Sequence, residues 1–145
     1  MKAVVQRVKH TRLSVDGELI SEIPFGLTVF LGVKTGDTEK EAEYLAKKIA
    51  GLRIFEDENG KMNLSVKDVG GEILFVSQFT LYGDASRGNR PSFTLAERPE
   101  RADALYRYAA KRLEEYGIAV KLGVFGADMQ IEQHNDGPVT ILLEA

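Results

Sequence analysis

The sequence predicts an α/β domain, one compact unit over residues 1–145 with a mostly antiparallel β-sheet and two main helices. Three features predict it. Two short steps, Asp16-Gly17 and Asn59-Gly60, stand between strand-like runs and are the strongest local signals for β-hairpins. Two segments, opening near Glu39 and near Pro99, carry apolar residues at helical spacing. Within the stretch Gly71 to Leu81, Ile73, Leu74, Phe75 and Val76 are apolar at both parities, as in a central strand covered on both faces. A chain of 145 residues can bury about 68–70% of its unfolded surface without covalent staples.

In order, Lys2 to Val8 reads as a first strand, and Arg12 to Val15 pairs with Glu18 to Ile23 across Asp16-Gly17. Arg7 lies inside the first strand. A long cation there either sits at an edge with its stem along apolar surface, the expected case, or points at a specific partner. Leu27 to Val33 is a second strand suited to burial on both faces, ended by Gly36 and Asp37. Thr38-Glu39-Lys40-Glu41 has the form of a capping box, and Ala42, Leu45, Ala46, Ile49 and Ala50 follow it, which predicts a helix over Glu39 to Ala50. Arg53 to Glu56 and Lys61 to Leu64 flank Asn59-Gly60 as a second hairpin before the Gly70-Gly71 break. Gly83 to Pro91 reads as a solvated loop with two arginines. Pro99 suits the first position of a second helix whose face is Ala102, Leu105, Tyr106, Ala109, Leu113 and Tyr116, and Gly117 is its expected stop. Ile118 to Val124 and Val139 to Leu143 read as strands, with Phe125 to Gln130 unassigned between them.

The stretch that ends at Leu81 begins as core and ends in polar atoms with no turn residue between. Side-chain alternation along the strand places Leu74, Val76, Gln78 and Thr80 on one face, and Phe75, Ser77, Phe79 and Leu81 on the other. A carboxamide and a hydroxyl at the margin of a core need partners, because an unpaired buried polar group costs about 1–3 kcal/mol. Those partners are either the protein itself or a substrate, and a strand simply emerging into solvent before Tyr82-Gly83-Asp84 is the plainer alternative.

Composition narrows the chemistry. With no cysteine, the chain has no disulfide, thiol nucleophile or cysteine-held metal. Its two histidines, His10 and His134, cannot make a His-rich metal site, and no Ca²⁺ loop, phosphate loop or dinucleotide fingerprint is present, so no cofactor is expected. No apolar stretch approaches the ~18 residues of a membrane span, which makes a soluble cytoplasmic protein the expectation. A net charge of −3, from 19 Lys plus Arg against 22 Asp plus Glu, argues against gripping a long stretch of nucleic acid through its phosphates. It permits a small local contact. His134 beside Asn135 and Asp136 invites a triad with Ser77, but such a triad is defined by geometry, and a surface or structural His134 is expected instead. Asn135-Asp136-Gly137-Pro138-Val139-Thr140 reads as a turn into the final strand.

Ser77-Gln78-Phe79-Thr80-Leu81 together with Asn135-Asp136-Gly137-Pro138-Val139-Thr140 resembles the motif pair of the bacterial-type D-aminoacyl-tRNA deacylases. The likeness extends through Val4-Val5-Gln6-Arg7-Val8, Arg53-Ile54-Phe55, Lys61-Met62-Asn63-Leu64, Arg90-Pro91-Ser92-Phe93 and Phe125-Gly126-Ala127-Asp128-Met129-Gln130. It implies a homodimer of α/β subunits that hydrolyses the ester between a D-amino acid, or glycine, and the terminal adenosine of tRNA. By the same resemblance, Ser77, Gln78, Phe79 and Thr80 form the catalytic strip. The resemblance implies that Gly137-Pro138 is a cis peptide lent to the partner's site, where its backbone blocks an L side chain. Arg7 holds that loop, and Leu81, Asn135, Thr140, Phe125 and Met129 support the site.

The residues themselves weigh on one open question in that family, whether Thr80 attacks or the ribose 2′-hydroxyl assists. A threonine hydroxyl is a poor nucleophile without an adjacent base, and none shares its strand face, so the second is favoured. Backbone N–H groups near Phe79, with the Gln78 amide, suit an oxyanion better. The chain departs from the family at His134, where an apolar residue is usual, and in the Ser86 to Arg90 loop, which is less basic than in many relatives. A general small-ester hydrolase and a non-catalytic RNA-binding module are the competing classes. The first needs a self-sufficient nucleophile, and the second a basic, aromatic-laced stripe.

Overall fold

In the computed structural model, which describes all residues from Met1 to Ala145, the chain opens with one long strand, β1 (Lys2–Val15), where a break near Lys9 was expected. Its partner β2 (Glu18–Ile23) returns through Asp16 and Gly17, both at positive φ, as the hairpin signal requires. β3 (Gly26–Gly32) pairs with the first half of β1. Helix α1 (Glu39–Gly51) starts at the expected capping box: the Thr38 hydroxyl accepts from the Lys40 N–H, and the Glu41 carboxylate accepts from the Thr38 N–H at 2.7 Å. The Asn59-Gly60 hairpin is shorter than expected, with β4 (Phe55–Glu56) and β5 (Met62–Leu64). β6 (Glu72–Ser77) is the central strand. Helix α2 (Pro99–Glu115) has Pro99 in its first turn and Gly117 at φ +80° beyond its end. β7 (Val120–Leu122) is shorter than the expected Ile118 to Val124, and β8 (Gln130–Glu144) is far longer than Val139 to Leu143.

The main sheet runs β2-β1-β3-β6-β7, with β8 along the other edge of β1. β1 pairs antiparallel with β2, β3 and β8, while β3-β6 and β6-β7 are parallel. Each parallel step is made by a crossover containing a helix, as parallel pairing demands. The pairing is mostly antiparallel, as expected, and the half that carries Ser77 to Tyr82 is parallel.

The apolar parity of β6 follows from coverage on both faces. Ile73 and Phe75 are fully buried in the main core with α1 and α2, where Phe75 stacks on Tyr106 at 5.2 Å between ring centroids. Leu74 and Val76 face the other way, against Val8, Leu13 and Ile23 from β1 and β2. The Tyr106 hydroxyl donates to the Phe75 carbonyl at 2.6 Å, and burial pushes its pKa up. No helix is long and apolar enough to cross a membrane.

Candidate active site

β6 does not continue to Leu81. It stops at Ser77, and Phe79–Tyr82 form one turn of 3-10 helix, so the expected face shared by Leu74, Val76, Gln78 and Thr80 is interrupted. The reason is tertiary: Gln78 donates its N–H to the Leu31 carbonyl at 2.7 Å, the last rung against β3, and the chain then turns over Gly32. A Cβ on Gly32 would lie 3.0 Å from both the Gln78 carbonyl and the Leu81 Cβ, so only glycine admits this close crossing. Leu81 packs there as a prop.

At the head of this turn the N–H groups of Phe79 and Thr80 have no acceptor in the fold. The Gln78 side-chain amide donates to the Thr80 hydroxyl at 2.5 Å. That is the only hydrogen bond of the Thr80 side chain, and an amide N–H cannot take up a proton. Gln78 is half-buried, Thr80 is exposed, and Phe79 is 56% exposed.

Beside the turn lies a largely apolar cavity of about 360 Å³ at the carboxyl ends of β3 and β6, where open parallel sheets hold their ligands. Ser77, Phe79 and Phe125, three of the residues that the resemblance assigns to a site, line it. Phe93, Tyr106 and Glu97 also line it and escaped the sequence reading. Phe93 meets Phe79 edge-to-face at 5.2 Å, and its isolated position in a polar loop carried no periodic signal. Tyr106 belongs to the buried face of α2 and reaches the cavity from there. Glu97 stays below the usual carboxylate range because the Arg98 N–H donates to it at 2.9 Å, helped by the Gly36 N–H and by Arg101. Met129 lies elsewhere, over Gly123 and the cluster around Leu13 and Val76.

Asn135 to Thr140 is not a turn. It is part of β8, which passes Asn135 opposite Val8 and Thr140 opposite Gln6, leaving Asp136, Gly137, Pro138 and Val139 to bulge out opposite Arg7. The Gly137-Pro138 bond is cis. Gly137 sits at φ +130°, and an added Cβ would lie 2.8 Å from Val139 Cγ2 and 2.9 Å from the Val139 nitrogen.

Arg7 is not at an edge. It is 7% exposed, its Nε donates to the Asp136 carbonyl at 3.0 Å, and its Nη1 donates to the Ile54 carbonyl at 2.8 Å, with the Asp136 carboxylate 3.4 Å from Nε. The guanidinium thus ties the bulge to the segment after α1.

The two motifs do not meet within one chain. From β8 to β6 is three strand spacings, about 14 Å, and Arg7 and Ser77 face positions Leu27 and Leu31 on β3, about 13 Å apart along the strand. His134 pairs with His10 in the β1-β8 ladder, their rings 6.0 Å apart, and it is remote from Ser77, so no Ser77-His134-Asp136 triad exists.

Comparison with known proteins places this architecture. The family described as D-Tyr-tRNA(Tyr) deacylase matches residues 4–144. The D-aminoacyl-tRNA deacylases of Koribacter versatilis and Thermotoga petrophila are 59% and 55% identical over 145 residues, covering 100% of this chain and 97% of each relative. That of Halalkalibacterium halodurans is 54% identical over 100% of this chain and 99% of its own. Among solved structures, the c-Myc DNA unwinding element binding protein superposes with a TM-score of 0.93 at 48% identity, covering 100% of this chain and 99% of that one. A probable eukaryotic D-amino acid tRNA deacylase shares the fold at a TM-score of 0.82 and 16% identity, over 99% of this chain and 98% of that one. On a match that runs from the first strand to the last and includes both motifs, the chain belongs to the D-Tyr-tRNA(Tyr) deacylase family.

Proposed function

We propose that this protein hydrolyses the ester between a D-amino acid, or glycine, and the terminal adenosine of tRNA, in the cytoplasm, as a homodimer whose sites are shared between subunits. The observation that carries the chemical reading is the head of the 3-10 turn: two free backbone N–H groups beside an aromatic-lined cavity, with a threonine hydroxyl that has no base. The cavity suits a base, whose faces stack on Phe79, Phe93 or Phe125, each stack contributing about 1–3 kcal/mol. With the adenosine so placed, the Phe79 and Thr80 N–H groups and the Gln78 amide donate to the oxyanion that forms as water adds to the ester carbonyl. Collapse breaks the bond to the ribose oxygen, which leaves as the hydroxyl with one proton from the water, and the amino acid leaves as the acid. The neighbouring ribose 2′-hydroxyl, not Thr80, relays the proton.

Chiral rejection is assigned to the Gly137-Pro138 backbone. Arg7 holds it, Gly137 has no slack for even one more methyl group, and backbone clamped in this way cannot swing aside as a rotamer can. Glycine, lacking a side chain, passes. The roughly 20 Å that separates this bulge from the cavity within one chain is the reason for invoking a second copy. An exposed apolar row supports this reading. Phe30, Val4 and Leu142 line up across β3, β1 and β8, Leu142 is 75% exposed, and the outer edge of β8 pairs with nothing.

The deciding experiment incubates pure protein with D-aminoacyl-, L-aminoacyl- and glycyl-tRNA. Hydrolysis of the D and glycyl esters with the L ester spared is expected. Survival of all three removes the enzymatic reading, and equal loss of D and L esters removes the filter. An engineered monomer that keeps full activity removes the shared site.

A further inference from the structure

Arg7 holds the β8 bulge from the core side only. Side chains alternate along β1, so Gln6 stands on the opposite face. There its Nε2 donates to the Thr140 hydroxyl at 3.3 Å, and its Oε1 accepts from Gln133 Nε2 at 2.8 Å. The same Gln133 Nε2 donates to Asn135 Oδ1 at 2.5 Å. Asn135 and Thr140 are the two β8 residues that pair with β1 on either side of the bulge. The chain of amides therefore spans the mouth of the bulge from its first anchor to its last. Both protons of the Gln133 amide are used, while its Oε1 is buried with no partner. A buried acceptor without a donor forfeits its hydration without compensation, which is a poor arrangement for a purely structural glutamine.

We infer that Gln6, acting through Gln133, is a positioning residue for the Gly137-Pro138 bulge: it fixes the spacing between Asn135 and Thr140, and so the direction in which the intervening backbone projects. This inference rests on the function proposed above for its catalytic consequence, but the clasp itself belongs to the free protein. Arg7 pulls the bulge inward from one face, and the Gln6-Gln133 clasp closes its ends on the other. Two adjacent residues of one strand thus constrain the same four-residue excursion from both sides.

The test uses Gln6→Leu, Gln133→Leu, the double variant and Gln6→Glu. Leucine keeps the shape of the glutamine stem and removes the amide. A glutamate at 6 still accepts from Gln133 and can accept from the Thr140 hydroxyl, so it rescues. Two readouts are taken on the full-length protein: amide hydrogen exchange of the segment 133–140, and the ratio of D- to L-aminoacyl-tRNA hydrolysis. Gln6→Leu and Gln133→Leu are each expected to lose protection within 133–140 by about tenfold or more and to lower the D-to-L ratio, with the double variant no worse than either single, since the residues act as one unit. Wild-type exchange in Gln6→Leu, additive losses in the double variant, or no rescue by glutamate overturns the inference. A wild-type protein that hydrolyses neither ester overturns the proposed function alone, because exchange still decides the clasp. An equal fall of D and L rates that tracks thermal melting reduces Gln6 to a stability role and also overturns it.

Discussion

Where β6 stops at Ser77 the backbone is left open, whereas opposite Arg7 the β8 backbone is held from within the core. The first region offers unpaired N–H groups, an exposed Phe79 and a hydroxyl tethered only by its neighbour's amide. The second offers almost no side-chain chemistry. Its Asp136 carbonyl accepts from a buried guanidinium, and its glycine has no free space beside it. A surface that receives and releases a substrate keeps its hydrogen-bonding groups uncommitted, and one that must not yield is tied to the core behind it. Changes in the first region should therefore alter turnover and affinity, and changes in the second should alter selection and stability together.

The largest expected break in that contrast is Arg7→Ala. It leaves the Ile54 and Asp136 carbonyls without a donor, each worth about 1–3 kcal/mol where buried. Denaturant unfolding should show a loss of several kcal/mol and deacylation should fall with it; Arg7→Lys should not rescue, since one ammonium cannot reproduce the fork. A variant with unaltered stability and D-to-L ratio would mean that the bulge is not clamped through Arg7.

Gly137→Ala comes next. It forces a Cβ against the Val139 nitrogen at a backbone angle that L residues rarely adopt, at about 1–3 kcal/mol. Discrimination against L-aminoacyl-tRNA should weaken more than hydrolysis of the D ester. Paired initial rates on the two esters measure this, and an unchanged ratio would dissociate Gly137 from selection.

On the open side, Phe93→Ala removes an edge-to-face partner of Phe79 and one wall of the cavity. With about 1–3 kcal/mol per stacked base, KM should rise roughly 5- to 150-fold while kcat changes little. A fall confined to kcat would assign the cavity to the chemical step instead of base binding.

Thr80→Ala should be milder, since the hydroxyl makes one hydrogen bond and has no base; about 1 kcal/mol is typical of such a contact, some fivefold. Single-turnover rates decide, and a loss beyond about 10⁴-fold, the scale of an essential nucleophile, would make Thr80 the attacking group. Removing the substrate 2′-hydroxyl should be far more severe.

Smallest is the effect of salt. A chain of net charge −3 that reads an acceptor end neutralises few phosphates, and each contributes a slope of about −0.7 on a log-log plot for single strands. A slope matching six or more contacts would reveal a phosphate-binding surface outside both regions.

By itself, the order of residues determined whatever depends on neighbours a few positions away. The Thr38 capping box, the Asp16-Gly17 and Asn59-Gly60 turns, the stop at Gly117 and the double-sided burial of Ile73 to Val76 are all properties of short windows, and each is present in the fold. The motif pair was legible in the same way, as a resemblance between two short strings. What those strings do in space was not. Gln78 to Leu81 extends no strand because β3 supplies its last rung at Leu31 and Gly32 lets the chain cross, and Asn135 to Thr140 makes no turn because β1 continues beside it on both sides of the bulge. Arg7 looked like an edge residue because its partners, Ile54 and Asp136, lie 47 and 129 positions away. The cavity draws Leu31, Ser77, Phe93, Tyr106 and Phe125 from separate segments that only the fold brings together. Periodicity and turn chemistry are written within about four residues; the partner of a buried polar group is chosen only when distant strands pair, so tertiary structure alone decided which groups the candidate site leaves free and which it holds.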